Sequence, residues 1–341
     1  MADINKTRLR KASSNRFMLH SADSKLAFTH VKFWLEAFVS IGQNFSILVR
    51  DEKIFIKLSS TFPSLEVCYA KTPLDVEEII NTQPLLQSIL YTSNSVKNIH
   101  LLRFNHLKHI FIGTKNSDWL SSFNKSYRAY DEFWAGGTYT LERLQQAVPN
   151  LGHLTLKVIG KPQTAPRLLK NRKNKEDVLF LYVNKDSKIL LEIVYYCFSF
   201  IPQKMYVVTQ ETKKLDKLED VMRLKNQTSF LHRVGNEELV DEFISEKSII
   251  ILDGKQLNPY MLLYNVPLFI FIDEKVNKYM IFPEVLQDVC YFFTTKEELL
   301  ELLQNVRKND SLEKIRKECM NYLFNEEAIV NNTFLQEMKK I

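Results

Sequence analysis

The stretch Asp131-Glu-Phe-Trp-Ala-Gly-Gly-Thr138 decides the fold class, because it joins an apolar strand to a helical pattern through two glycines. The following helix is predicted to run to about Ala147. The same succession of a short apolar run and a helical pattern recurs on both sides of this stretch. Strands that alternate with helices in this way indicate a parallel sheet covered on both faces.

On both sides of this stretch, the pattern predicts eleven strands and several capped helices. Asp51, Thr72 and Thr295 stand where helix caps are expected, and Pro73 and Glu298 support the last two. The alternation stops near residue 160 and restarts near residue 178, so the chain is read as two Rossmann-like α/β domains that face each other across a cleft. The predicted strands are residues 45–50, 65–70, 88–92, 108–113, 131–135, 154–159, 178–183, 205–208, 248–252, 267–272 and 290–293.

Charge supports a boundary at the same place. The 341 residues carry a net charge of +6, of which residues 1–160 hold +6, residues 161–176 hold +5 and residues 177–341 hold −5. The basic stretch from Arg167 to Lys175 follows Pro162 and Pro166, which break regular structure, and is read as a linker. The predicted division is therefore 1–160, a linker at 161–176, and 177–341 with helices at its end. Contact of residues 167–175 with anionic lipid or a polyanion is the alternative use of these charges.

Several classes of function are excluded by composition. The chain has 8 glycines and no G-x-G-x-x-G motif, and no apolar run approaches the length of a membrane span. Its four cysteines are far apart, which excludes a cysteine-built zinc site and fits a reducing cytoplasm; no histidine pair has zinc-site spacing. No nucleic-acid-binding signature is present. We expect a cytoplasmic protein with no metal and no cofactor.

The first candidate loop, Gly113-Thr-Lys-Asn-Ser-Asp118, directly follows a predicted strand. Gly113 permits a tight turn, Lys115 offers a charge to a phosphate, and Asp118 is the carboxylate placed to act as a general base. The neighbouring Thr114, Asn116 and Ser117 complete the predicted site. An ordinary connection between a strand and a helix has the same appearance, and this remains the alternative.

Two further loops have a composition suited to phosphate. At Gly136-Gly137-Thr138, free N–H groups at a helix start, capped by Thr138, are suited to hold a phosphate or carboxylate. At Asp253-Gly254-Lys255, the lysine is suited to a diphosphate and the aspartate to a ribose or glycerol hydroxyl. A tight turn before a capped helix and a plain β-turn are the respective alternatives.

Residues 91–103, 108–113, 130–136 and 141–143 carry a resemblance to a known family. Over these stretches the chain resembles the CDP-glycerol glycerophosphotransferase family, whose GT-B-fold enzymes build teichoic acids and related capsule polymers. The resemblance implies a GT-B-like fold with an acceptor domain first and a CDP-donor domain second, and peripheral attachment to the inner face of the membrane. It also adds Arg143 to the substrate-binding residues.

The sequence departs from the family where the chemistry lies. The family's His-Gly-Asp-Ser-Asp loop reads Thr-Lys-Asn-Ser-Asp at residues 114–118, so only Ser117 and Asp118 match. Its His-Pro pair is replaced by Thr209-Gln210, and its Asp-x-Ser-Ser loop keeps only Asp253. Two hypotheses follow: a transferase that joins a CDP-activated polyol or sugar to an anionic cell-surface polymer, and an inactive scaffold that binds polymer or a partner glycosyltransferase.

Overall fold

The computed structural model describes residues 14–114, 123–165, 178–182, 188–198, 204–208, 231–234, 244–245, 247–254, 258–273 and 284–341. The chain forms two compact units. The first consists of Met1–Ala165 together with Tyr322–Ile341, and the second of Pro166–Asn321. Each unit is an α/β structure built on one parallel sheet.

The first unit has a seven-stranded sheet in the order β3-β2-β1-β4-β5-β6-β7. All neighbouring strands run parallel, and the order reverses between β1 and β4, as in Rossmann-type folds. The central strand β1 was not among the predicted strands, although all five of its residues are buried. The strands are β1 Phe17–Ser21, β2 Phe45–Val49, β3 Glu66–Tyr69, β4 Ser88–Tyr91, β5 Lys108–Phe111, β6 Glu132–Ala135 and β7 Thr155–Val158.

Helices connect these strands, and two of them begin at the predicted caps. The Asp51 carboxylate accepts a hydrogen bond from the Ile54 N–H at 3.2 Å, and Thr72 forms a reciprocal capping box with Asp75. Each such cap is worth about 1 kcal/mol to its helix. The helices are α1 Ala27–Val39, α2 Glu52–Thr61, α3 Pro73–Asn81, α4 Ile99–Leu102 and α5 Thr138–Ala147, with 3₁₀ turns at Val96–Asn98, Lys125–Ala129 and Pro162–Thr164.

The second unit has a six-stranded sheet in the order β10-β9-β8-β11-β12-β13, again with a reversal at its first strand. The sequence does not predict β10, and the predicted helix at 214–224 lies outside the described residues. Thr295 caps α7 through a capping box with Glu298, as predicted. The elements are β8 Val178–Tyr182, α6 Lys188–Phe198, β9 Lys204–Val208, β10 Leu231–Val234, β11 Ile249–Asp253, β12 Leu268–Phe271, β13 Tyr291–Phe293 and α7 Lys296–Lys308.

The last helices depart from the predicted division of the chain. They are α8 Glu313–Phe324, α9 Glu326–Val330 and α10 Thr333–Lys339. The sequence assigns all of them to the second domain, but from Tyr322 onward the chain belongs to the first unit. Phe334 and Met338 are buried in the core between α1 and the first sheet. The other buried residues of this core lie more than 150 positions earlier in the sequence than Phe334 and Met338.

A buried carboxylate links the first sheet to α10. Glu132 accepts from Lys108 Nζ at 2.7 Å, Lys157 Nζ at 2.9 Å and Trp134 Nε1 at 2.6 Å. Lys157 also contacts Glu337 of α10 at 2.7 Å. Burial acts to raise the pKa of Glu132, but the hydrogen bonds from Lys108, Lys157 and Trp134 outweigh it and hold the pKa below its usual value. The ionised form is therefore the one that stabilises the fold.

We expect Glu132→Gln to lower the free energy of unfolding at pH 7 by about 2 kcal/mol, since hydrogen bonds to a charged group are lost. A carboxyl whose pKa is lowered by folding stabilises the protein above its unfolded pKa, and that stabilisation disappears as pH falls through the folded pKa. The difference between variant and wild type should therefore shrink between pH 7 and pH 3. Urea unfolding at several pH values measures it.

The matched control is Glu77→Gln. Glu77 pairs with Arg103 at 2.9 Å, but both side chains are about half exposed, so the pair should contribute less than about 1 kcal/mol. Equal effects of the two substitutions at pH 7 would contradict the role given to Glu132.

Candidate functional site

The carboxyl edge of the first sheet holds the start of the predicted catalytic loop. Gly113 follows β5 with φ at +67°, in the left-handed region that favours glycine. The Gly113 carbonyl accepts from Trp34 Nε1 at 2.8 Å, and the Ile112 carbonyl accepts from Lys161 Nζ at 3.3 Å. Lys161 is fully buried and its amino group lies 5.4 Å from the centre of the Trp34 ring. The backbone before Thr114 is thus held by two side chains from distant parts of the chain.

The end of the same loop is also fixed. The Phe123 ring packs edge-on against Tyr127 and Phe133, with ring centres 5.2 and 5.9 Å apart. The Arg143 guanidinium of α5 lies 5.4 Å from the Phe123 ring and 5.6 Å from that of Tyr139. Arg143, predicted to bind substrate, therefore lies beside the point where the loop ends.

Four of the predicted residues lie between these two points and outside the described part of the chain. They are Lys115, Asn116, Ser117 and Asp118. Their roles as phosphate-binding residues and base stay predictions. The structure describes Gly113 and Thr114 before these residues, and the description resumes at Phe123.

The cap predicted at the Gly136-Gly137-Thr138 turn is wrong, while phosphate binding by this turn stays a prediction. Gly137, and not Thr138, is the N-cap of α5, and it has no side-chain cap. A methyl group on Gly137 would lie inside van der Waals contact with the backbone of Tyr322 and Leu323. Gly136 and Gly137 are both buried. Gly137 lets the start of α5 approach the backbone of residues 322–323 closely. This packing is sufficient to explain why a glycine stands at position 137.

The second unit carries the other predicted residues at the carboxyl edge of its own sheet. Asp253 is the last residue of β11 and is 9% exposed, and Gly254 follows it. The strand order reverses between β8 and β11, which is where ligands bind in sheets of this kind. Lys255, Thr209 and Gln210 lie outside the described residues, as does the basic stretch 167–175.

Sequence reasoning missed a polar group at the carboxyl edge of the first sheet. His20 in β1, Arg50 after β2 and Asn98 before α4 are at most 4% exposed. Burial lowers the pKa of His20 to about 3, and the charge of Arg50 acts in the same direction, so the ring is neutral. The available signal was Phe17-Met-Leu-His-Ser21, a short apolar run with a polar end.

The described ranges contain no cluster of metal-ligand side chains, and their four cysteines are all buried. These residues bring no three histidine, cysteine, aspartate or glutamate side chains together in a metal-binding arrangement. The four cysteines are buried free thiols, and burial raises the pKa of Cys68 to about 12. Thiols of this kind are packing residues rather than nucleophiles. Along the same ranges, no helix combines the length and the apolarity that crossing a bilayer requires.

Two parallel sheets, each with a Rossmann-type reversal of strand order, define the GT-B class of fold. Solved structures with this fold include the wall teichoic acid polymerase TagF (TM-score 0.53, 10% identity, 97% of this chain and 90% of that one). Anabaena HepE in complex with UDP also has this fold (TM-score 0.52, 11% identity, 95% of this chain and 99% of that one). A further example is a Listeria monocytogenes protein described as a putative UDP-N-acetylglucosamine 2-epimerase (TM-score 0.57, 9% identity, 96% of this chain and 98% of that one).

No protein-family model and no curated protein sequence matches the chain. Identities near 10% show a common fold alone, and these proteins include both a polymerase and one described as an epimerase. Since one fold supports several chemistries, the reaction has to be argued from the residues at the carboxyl edges of the two sheets.

Proposed function

We propose that the protein is a transferase that moves a polyol-phosphate or sugar unit from a CDP-activated donor to an anionic cell-surface polymer, as in teichoic acid or capsular polysaccharide synthesis. The observation that carries the proposal is the position of the predicted residues in a GT-B fold. Thr114 and Asp253 both lie where strands of a parallel sheet end, and ligands bind at such edges. The TagF fold and the UDP-bound HepE fold support a nucleotide-activated donor.

Each residue has a defined task in this reaction. Asp118 takes the proton from the attacking hydroxyl of the acceptor, and Ser117 and Thr114 orient that hydroxyl. Lys115, Asn116 and Arg143 hold acceptor phosphate, while Asp253, Gly254 and Lys255 hold the ribose and diphosphate of the donor. The hydroxyl oxygen forms a bond to the transferred phosphorus or sugar carbon, and the cytidine nucleotide leaves with the bonding electrons.

The described residues before and after positions 115–122 of the chain are well held, which supports this assignment. Trp34 and Lys161 hold the two carbonyls before Thr114, and Phe123 is packed among aromatic rings.

We expect Asp118→Ala to lower the transfer rate by at least about 10²-fold, which is the usual contribution of a positioned general base. Binding of the donor should stay unchanged, because Asp118 is assigned to the acceptor. The measurement is release of CMP from CDP-glycerol in the presence of a glycerol-phosphate oligomer. Glu36→Ala, at an exposed carboxylate on α1, is the control that should keep full activity. Full activity of the Asp118 variant would show that the base lies elsewhere.

The departures at residues 114–118, 209–210 and 254–256 favour a second function, that of an inactive scaffold that binds polymer or a partner glycosyltransferase. Calorimetric titration with CDP-glycerol, CDP-ribitol, CDP and UDP separates the two. Binding of the cytidine nucleotides in preference to UDP supports the transferase. Absence of binding at millimolar nucleotide removes the transferase and leaves the scaffold.

A further inference from the structure

The three most exposed large apolar side chains of the described residues lie in one region of the first unit. Val96 is 91% exposed, Ile99 64% and Leu74 63%. Val96 and Ile99 begin the 3₁₀ turn and the short helix α4 after β4, and Leu74 is in the first turn of α3 after β3. Apolar side chains that are exposed singly are ordinary, whereas several in one place mark an interaction surface.

Two arginine side chains join the segments that carry these residues. Arg50 Nη2 lies 3.1 Å from His100 Nδ1 and donates to the Thr72 carbonyl at 3.4 Å. Arg103 Nη2 donates to the Pro73 carbonyl at 3.4 Å. The start of α3 therefore lies against α4, and the three exposed apolar side chains lie on one surface at the carboxyl edge of the first sheet. We call this surface the apolar patch.

Two lysines flank the apolar patch. Lys97 lies between Val96 and Ile99 along the chain, and Lys71 lies three residues before Leu74. Both lysines are exposed, and neither forms an ion pair within the part of the chain that the structure describes. Their charges are therefore available to a partner.

The local field beside α4 is positive. The pKa of His100 is lowered from its usual value by burial and then by the charges of Arg50, Arg103 and Lys97. Glu77 is paired with Arg103 at 2.9 Å, which neutralises one of these cations.

The carboxylates of α3 do not cancel this field at the patch. Asp75 accepts from the backbone N–H groups of Lys71 and Thr72 at 2.8 and 2.7 Å, so it is engaged in the cap of α3. Glu78 is exposed one turn farther along α3, away from the carboxyl edge of the sheet.

Exposed apolar side chains with free cations beside them fit the interface of an anionic bilayer. The apolar side chains enter the boundary between headgroups and acyl chains, while the lysines reach lipid phosphates with their amino groups. A soluble polyanion would engage the lysines but leave the apolar side chains in water. A second copy of the same surface would place like charges opposite each other.

We propose that the apolar patch, together with Lys71 and Lys97, docks the first unit on an anionic lipid bilayer. The proposal goes beyond the proposed function and does not rest on it, because neither nucleotide nor acceptor takes part. The patch is separate in sequence from the basic stretch 167–175. It lies at the same edge of the first sheet as Thr114, so a bound bilayer would adjoin the edge to which the acceptor is assigned.

Cosedimentation of the full chain with phosphatidylglycerol vesicles tests the patch. Val96→Ser combined with Ile99→Ser should weaken vesicle binding by at least about tenfold, because two apolar side chains no longer leave water. The matched control combines Val39→Ser with Leu85→Ser. Val39 and Leu85 are 58% and 57% exposed and lie toward the amino edge of the same sheet, so this variant should bind as the wild type does.

The charge contribution is measured with a second pair of variants. Lys97→Gln should weaken binding to phosphatidylglycerol vesicles about fivefold, and should leave the weaker binding to phosphatidylcholine vesicles unchanged. Lys32→Gln, at an exposed lysine on α1, controls for the loss of one charge and should have little effect.

A fluorescent label distinguishes a bilayer from other occupants. The four cysteines are buried, so Val96→Cys can be labelled selectively with a dye whose emission depends on polarity. Phosphatidylglycerol vesicles should shift this emission to shorter wavelength, and the same dye at Val39→Cys should not respond.

Several outcomes would overturn the proposal. One is equal vesicle binding by the wild type and the Val96→Ser/Ile99→Ser variant. Another is a dye that does not respond to vesicles, or one that responds to a soluble glycerol-phosphate oligomer instead. A shift without vesicles that grows with protein concentration would assign the patch to a second copy of the chain. Failure of the proposed function is recognised separately, by absence of cytidine-nucleotide binding in the titrations above.

Discussion

Gly137→Ala is expected to destabilise the first unit by about 3 kcal/mol, the upper end of the usual cost of overpacking. The added methyl group would lie inside contact distance of the Tyr322 and Leu323 backbone, and a backbone cannot rotate away as a long side chain can. The φ of Gly137 is −150°, which alanine adopts without strain, so the whole effect comes from packing. Urea unfolding followed by circular dichroism measures it.

Gly152→Ala is the control for this experiment. No atom lies within 4 Å of the position that a methyl group on Gly152 would take. We expect its free energy of unfolding to stay within about 0.5 kcal/mol of the wild-type value. If the two alanine variants unfold at the same urea concentration, the close approach of residues 322–323 to the start of α5 is contradicted.

Phe334→Ala is expected to cost about 3–5 kcal/mol, as for other buried phenylalanines. Phe334 is 1% exposed, and its ring centre lies 5.4 Å from that of Trp34 and 5.8 Å from that of Phe38. Trp34 also donates to the Gly113 carbonyl, so the cavity should loosen the start of the predicted catalytic loop. We therefore expect earlier urea unfolding and a changed tryptophan fluorescence spectrum in the folded state.

Val330→Ala is the matched control, since Val330 is 49% exposed at the end of the preceding helix α9. Its substitution should change the free energy of unfolding by less than about 0.5 kcal/mol. A small effect of Phe334→Ala would show that α10 does not complete the core of the first unit.

The predicted strands and caps agree with the structure where the signal is local. The β11 run from Ile249 is apolar enough to be recognised alone, and Thr72 and Thr295 form capping boxes within four residues of sequence. The strand β1 was missed because it follows a basic, polar segment and ends in the polar residues His20 and Ser21. Its burial comes from β2 and β4 on either side, which lie 28 or more residues away.

At the candidate site, too, features that are local in the sequence could be predicted and those that depend on distant contacts could not. The sequence located the loop that starts at Gly113, because a strand followed by a glycine and polar residues is a local pattern. It assigned Gly137 to a phosphate, since a glycine at a helix start looks the same whether a ligand or another backbone approaches it. The His20 group could not be predicted, because its members come from three separate segments that only the sheet brings together.

The sequence by itself determined the fold class, most of the strands and the helix caps at Asp51, Thr72 and Thr295, because apolar periodicity and capping act over a few residues. Only the tertiary structure decided that the chain returns at Tyr322 to the first unit, and that Trp34 and Lys161 hold the start of the loop at Gly113. These contacts join positions that are about 50 to 300 residues apart. Pairing over such distances is set by shape and burial in the folded chain, which no local pattern records.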